Sequence, residues 1–404
     1  MKKFLTVLLC LGVISPLFAQ KARVDQALKL SGKYEKLGEA RGLINQAMED
    51  PSTQNDARTY FVAGKLEFDA FDNGFKMKMI KPDDPSAQAA VMGEELINGY
   101  NFFKKALPLD SVPNAKGKVE PKNSKAIINM LKGHANDYFQ AGADFFNEKL
   151  YYPQAYEAFM IYGNLPSMVG EIAGVDDAQI ATAFFNAGLA AYQGNQLEAS
   201  AEAFHKAQLA GSDQPEAYIY EIACWQTIAQ QDENKAALAQ QKIMDAAQGG
   251  YEKFGIENPI FVNNMINSLV SEEKNQEALN KLQSLIAENP NNANLYGLRA
   301  FVYDRMENDD LSEADYRKAA SLDNVDFETL KNASKKLYRI GAQKLNDVEG
   351  SSPEAATARN NIKNNYFLEA QKYAQKAAQM NPGDPDIQNV LDSLDYAITT
   401  YFGN

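Results

Sequence analysis

Between Pro259 and Asp326 the apolar residues recur on two periods at once, one of a helical turn and one of 34 residues. Phe261, Met265, Ile266 and Leu269 keep the spacing of one helix face. Ala278, Leu282 and Leu285 repeat it on a second helix, which ends before Asn289-Pro290-Asn291-Asn292. From residue 293 the pattern restarts with Tyr296, Ala300 and Tyr303, then Ser312, Tyr316 and Ala319. Two amphipathic helices per block, in unbroken phase over 259–292 and 293–326, predict an all-α solenoid in which each helical hairpin buries its apolar face against its neighbours.

The same pattern extends outward. Phe184, Ala187, Gly188, Leu197, Ser200, Phe204 and Ala207 hold equivalent places in a block over 181–214. Tyr138, Ala141, Gly142 and Phe145, then Ala155 and Phe159, mark another. Tyr60, Ala63 and Gly64 open a third, whose second helix carries Tyr100 to Leu107. About eight hairpins are expected, over 22–52, 55–111, 126–168, 181–214, 215–258, 259–292, 293–326 and 327–384, followed by an amphipathic capping helix over 385–402. The unit at 215–258 is about ten residues longer than the others. Ser352-Pro353-Glu354 reads as an N-cap with proline at the first helical position, opening a helix that runs to Met380. Two stretches depart from the pattern. Residues 72–86 interrupt one unit between its helices, with Phe75, Met77 and Met79 alternating with lysines. They form either an apolar edge for a partner or a loop folded onto its own unit. Residues 108–125 lie between units and are rich in proline and lysine.

These blocks resemble the tetratricopeptide repeat, over nearly all of the chain beyond residue 20. That family has a large residue at repeat position 4, small ones at 8 and 20, an aromatic at 24, alanine at 27 and proline at 32. The small residues let the two helices approach, the aromatic fills the space toward the next unit, and the proline ends the second helix. The resemblance implies a right-handed superhelix whose first helices line a concave face, with repeat positions 2, 5, 9, 12 and 13 pointing into it. The implied groove residues are Phe61, Phe68, Phe139, Phe146, Phe185 and Tyr192 in the first half. Asn263, Asn267, Asn294, Phe301, Asp304 and Arg305 follow in the second. The expected groove is aromatic at one end and polar at the other, suited to an extended peptide or a stacked sugar. Packing of several rings against the next unit is the competing reading.

The first residues change where the chain is expected to work. Lys2 and Lys3, an apolar run from Phe4 to Ile14 and Ala19 before Gln20 have the layout of a secretory signal over 1–19, too short to span a bilayer. The expected location is export to a bacterial envelope: periplasmic, or secreted or outer-membrane-associated. A lipid anchor at Cys10 is disfavoured, because bulky Val7-Leu8-Leu9 precede it. The whole chain carries 40 basic and 53 acidic residues, for a net charge of −13. That balance argues against a nucleic-acid partner. With Cys224 as the one cysteine beyond the signal, no intramolecular disulfide forms and stability rests on packing.

No catalytic, metal or cofactor site is expected. His134 and His205 sit in separate units without ligand spacing. The calcium-loop-like start at Asp69 fails at Phe71 and at Ile80, where a carboxylate is required. Cys224 reads as a buried apolar residue. The sequence thus predicts a non-catalytic scaffold or adaptor binding a protein or peptide segment, with no cofactor. A carbohydrate-binding nutrient-capture protein built on similar repeats is the alternative.

Overall fold

The computed structural model describes residues 20–83, 85 and 92–402, so the expected export signal over 1–19 lies outside the described residues. Among the described residues every regular element is helical and no strand occurs. Contacts divide the chain into two compact units, one ending at Lys242 and the other beginning at Ile243.

The first unit begins with α1 (20–30), α2 (Leu37–Glu49), α3 (Ala57–Ile80) and α4 (Glu94–Asp110). It continues with α5 (Ser124–Gly133), α6 (Ala135–Asn147), α7 (Tyr152–Val169), α8 (Asp177–Gln193), α9 (Leu197–Leu209) and α10 (Glu216–Gln231), and its boundary falls within α11 (Ala236–Phe254). Phe68, Leu96, Phe103, Ile127, Leu131 and Tyr138 lie in one continuous buried cluster. One sequence expectation is corrected here. Residues 72–80 are not an interruption between helices but the end of α3, which runs unbroken to Ile80. Of the alternating apolar residues, Phe75 packs edge-on against Phe71 and Met77 is half-buried, while Met79 is 85% exposed. A strand-like alternation misleads here, because lysine and methionine are both good helix formers.

The stretch between α4 and α5 is pinned by one carboxylate. Asp110 accepts hydrogen bonds from the backbone N–H of Lys122 (3.1 Å), Asn123 (2.8 Å) and Ser124 (2.8 Å). The Asn123 carboxamide (3.0 Å) and the Ser124 hydroxyl (2.7 Å) donate to it as well. Burial pushes the Asp110 carboxyl up, but the Ser124, Asn123 and Lys122 donors outweigh it and hold the group below its ordinary value. Asp110→Ala should cost about 2 kcal/mol in chemical denaturation, because several donors lose their acceptor at once. The wild-type contribution is present above the unfolded pKa of aspartate and is lost as pH falls through the lower folded value. The penalty of the substitution should therefore shrink in acid.

The second unit contains α12 (Pro259–Ser271), α13 (Asn275–Glu288), α14 (Ala293–Arg305), α15 (Asp309–Ala320) and α16 (Phe327–Asn346). The first helices of three hairpins start at Pro259, Ala293 and Phe327, a constant step of 34 residues. The turns inside the hairpins repeat as well, with Glu273 and Glu307 both left-handed at φ 60° and 57°. Ser352 caps α17 (Pro353–Ile362) by accepting from the Ala355 N–H. The helical path then passes through a π turn over Lys363–Phe367 into α18 (Leu368–Met380). In α19 (Pro385–Phe402), Ile387, Leu394 and Ala397 are buried against a core that includes Leu337 and Phe367.

Candidate binding surface

Three first helices of the second unit, α12, α14 and α16, line a cavity of about 750 Å³. Their N-termini are built by polar caps. Asn258 accepts from the Ile260 N–H, Asn292 from the Asn294 N–H, and Asp326 from the Thr329 N–H. Each cap satisfies a donor the helix cannot satisfy internally. At Gly297 an added Cβ would meet the Thr329 side chain of α16, with Thr329 Cγ2 only 2.8 Å away, so glycine is what lets α14 and α16 approach here.

Seven asparagines line the cavity, and Phe301, Phe327 and Leu298 supply its apolar floor. Asn294 donates to the Asn263 carboxamide oxygen at 2.9 Å, tying α14 to α12. Asn324 accepts from the Ala293 N–H, and Asn289 closes α13 through the Leu285 carbonyl. The carboxamides of Asn267 and Asn332, in contrast, make no hydrogen bond among the described residues and stand in the lining of the open space. Charge there is of one sign: Glu257, Asp326 and Glu328 stand in the lining, and no lysine or arginine does.

Asn263, Asn267, Asn294 and Phe301, singled out from the sequence, are thus brought together. Arg305 is not. It lies exposed at the end of α14, outside the lining, because the cavity is closed by the first turns of α14 and not its last. Asp304 is likewise diverted, into ion pairs with Lys336 and Arg339 of α16. The capping asparagines at 289, 292 and 324 were not singled out, since asparagine at a block end also reads as an ordinary turn residue.

In the aromatic half of the expected groove, the structure buries Phe68 and leaves other rings facing space. Phe68 is 1% exposed: its ring packs on Phe103 at 5.1 Å and on His134 at 5.0 Å. The break between α5 and α6, which places His134 there, has no counterpart in a regular repeat. Phe61 is half-buried against Phe103, and Phe185 sits between Phe204 and Tyr220. Phe139 and Phe146 do face space, in cavities of about 390 and 150 Å³, and Tyr192 is exposed beside Tyr220.

Two hairpins of the first unit close in the same way. In α8, Gly188 faces the ring of Phe204 from α9, and a Cβ there would lie 2.6 Å from it. Gly142 meets Phe159 of α7 in the same way at 2.8 Å. A small residue at position 8 seated against an aromatic near position 24 in the first unit, together with the 34-residue step of helical hairpins in the second, decides the architecture. The fold is that of the tetratricopeptide repeat. No family model matches the sequence, and no curated protein matches it either. Among solved structures, the chain is similar to YrrB, described as a tetratricopeptide-repeat protein with an unusual peptide-binding site. That match is 16% identical, covers 52% of this chain and 97% of the other, and has a TM-score of 0.35. A repeat protein from Bacteroides fragilis is 16% identical over 65% of this chain and 97% of its own, with a TM-score of 0.32. The repeat domain of P58(IPK) is 13% identical over 94% and 99%, with a TM-score of 0.30.

Proposed function

We propose that the protein is a non-catalytic adaptor that holds an extended protein segment in the asparagine-lined cavity of its second unit. One observation carries this reading: carboxamides, two of them without partners among the described residues, surround a space with an apolar floor. A carboxamide offers a donor and an acceptor on one group, the same pair that a peptide backbone presents, so a row of them grips main chain with little demand on side chains. The acidic lining favours a neutral or basic segment and disfavours anionic ligands. We place the protein in the bacterial cell envelope on the strength of Lys2, Lys3 and the apolar run that follows. Among the described residues no group of His, Cys, Asp and Glu is arranged to hold a metal, and no helix is long and apolar enough to cross a membrane.

The test is selection of a displayed random peptide library on the full chain, followed by titration of recovered peptides. Asn267→Ala/Asn332→Ala removes only carboxamides that do no structural work, so the melting temperature should hold. Affinity should fall about tenfold, as expected for two lost hydrogen-bonding groups. Recovered peptides should carry more Lys and Arg than the input library. An unchanged affinity would remove the cavity from the binding site.

A second reading, a carbohydrate-capturing protein, is favoured by one feature of the first unit. The cavity beside Phe139 is lined by Asn136, Gln140, Tyr162, Gln179 and Thr182 and holds no ionisable acid or base apart from the tyrosine. An aromatic face among neutral amides suits a sugar ring. Glycan-array binding lost on Phe139→Ser in a chain that stays folded would support this reading, and a blank array would dismiss it.

A further inference from the structure

The end of α3 is built unlike the rest of the surface. α3 crosses α4 where Gly64 and Gly99 meet, a Cβ on Gly99 lying 2.6 Å from the Phe68 ring and 3.2 Å from the Gly64 carbonyl. Beyond Gly64, α3 continues to Ile80, roughly 24 Å at the helical rise, whereas α4 extends from Gly99 only to Glu94, roughly 7 Å. The break between α5 and α6 supports α3 a little further, through His134 beside Phe71 at 6.0 Å and Asp72 at 3.8 Å. Past that point the helix carries Phe75, Met79 and Ile80 in the open, at 42%, 85% and 71% exposure. Phe75 is held edge-on to Phe71 at 4.9 Å, while Met79 and Ile80 are nearly bare.

Charge at this tip opposes that of the whole. Lys76, Lys78 and Lys81 are exposed, and none pairs with a carboxylate among the described residues. The one side-chain contact of Lys76 is with Asn73 at 3.4 Å. Asp83 is the one described acid after Phe75 in this stretch, on a chain of net charge −13. Two nearly bare apolar side chains and a half-exposed phenylalanine, interleaved with three lysines that have no carboxylate partner among the described residues, are the composition of a segment that rests in a lipid headgroup layer. There, apolar groups enter the acyl boundary and ammonium groups stay with the phosphates. A stable contact with a second copy needs about 800 Å² per partner, more than these three side chains present.

We propose that the end of α3 docks on an anionic phospholipid surface, with Phe75, Met79 and Ile80 inserted and Lys76, Lys78 and Lys81 on the phosphates. The contact is peripheral and reversible: it orients the protein on a membrane without anchoring it permanently, and it weakens with salt. It is independent of what the asparagine-lined cavity binds.

The experiment is co-sedimentation of the full chain with vesicles of phosphatidylcholine alone and of phosphatidylcholine mixed with phosphatidylglycerol. Binding is expected to the mixed vesicles only. It should fall about tenfold or more in Met79→Ser/Ile80→Ser, and again in Lys76→Gln/Lys78→Gln/Lys81→Gln. All five side chains are exposed, so both variants should melt with the wild type. In a Trp225→Phe background, Phe75→Trp should shift its emission to shorter wavelength on adding mixed vesicles. Absence of sedimentation with mixed vesicles, or sedimentation that neither variant changes, would overturn the proposal. So would concentration-dependent self-association without lipid that Met79→Ser/Ile80→Ser abolishes, which would assign the tip to a second copy.

Discussion

Replacing Asp304 and Asp309 together by alanine should destabilise the second unit by about 3–5 kcal/mol, the usual consequence of leaving a buried charge unpaired. Lys336 of α16 is 3% exposed, and its ammonium is held by Asp304 and, at 2.6 Å, by Asp309. Arg339 reaches both carboxylates as well, each at 2.9 Å. Without the aspartates, a buried ammonium and a neighbouring guanidinium would face each other with nothing between. Adding Lys336→Met to the double variant removes the buried charge while keeping the volume, so it should restore most of the loss. Failure of that rescue in a denaturant titration would mean that the aspartates act through something other than Lys336. The wild-type cluster has a defined pH dependence. The hydrogen bond from Lys336 holds the Asp309 carboxyl below its ordinary value. Its stabilisation is therefore complete above the unfolded aspartate pKa and fades as pH falls through the lower folded value.

Glycine substitutions should split by location, with opposite signs. Gly188→Val puts a branched side chain where a single Cβ already lies 2.6 Å from Phe204, itself fully buried. A loss of about 3 kcal/mol is expected, because neither α8 nor the ring can yield without opening the hairpin. Gly42, in α2, has no atom within 4 Å of where a Cβ would sit. Gly42→Ala should therefore gain about 0.5–1 kcal/mol through reduced backbone entropy of the unfolded chain. Thermal melts of the two variants measure both. Equal effects at the two sites would mean that the α8–α9 approach is looser than its packing indicates.

The periodic part of this fold was legible in the sequence because each hairpin repeats the same physical problem. Gly188 and Phe204 answer it as Gly142 and Phe159 do, so the spacing alone located first and second helices. Asn263 and Asn294 could be placed on one face for the same reason, and their carboxamides do meet at 2.9 Å. What could not be read were features set by non-repeating neighbours. Phe68 occupies a position that faces solvent in a regular repeat, yet here His134 and Phe103 cover it. Residues 72–80 looked like an insertion because they lie beyond any partner helix, and local helix propensity continues α3 without tertiary support. The asparagines at helix caps were hidden by their double use: a residue that ends one helix or starts the next also lines the cavity between them.

The central claim, that the asparagine-lined cavity holds a protein segment, is tested most directly by photocrosslinking in cells. A photoreactive residue replaces Phe301 on the cavity floor in one chain and exposed Leu209 of the first unit in another. The account expects a discrete protein adduct from position 301 that fades with Asn267→Ala/Asn332→Ala and is absent from position 209. No adduct from 301 in a folded chain, or the same adduct from both positions, would contradict it.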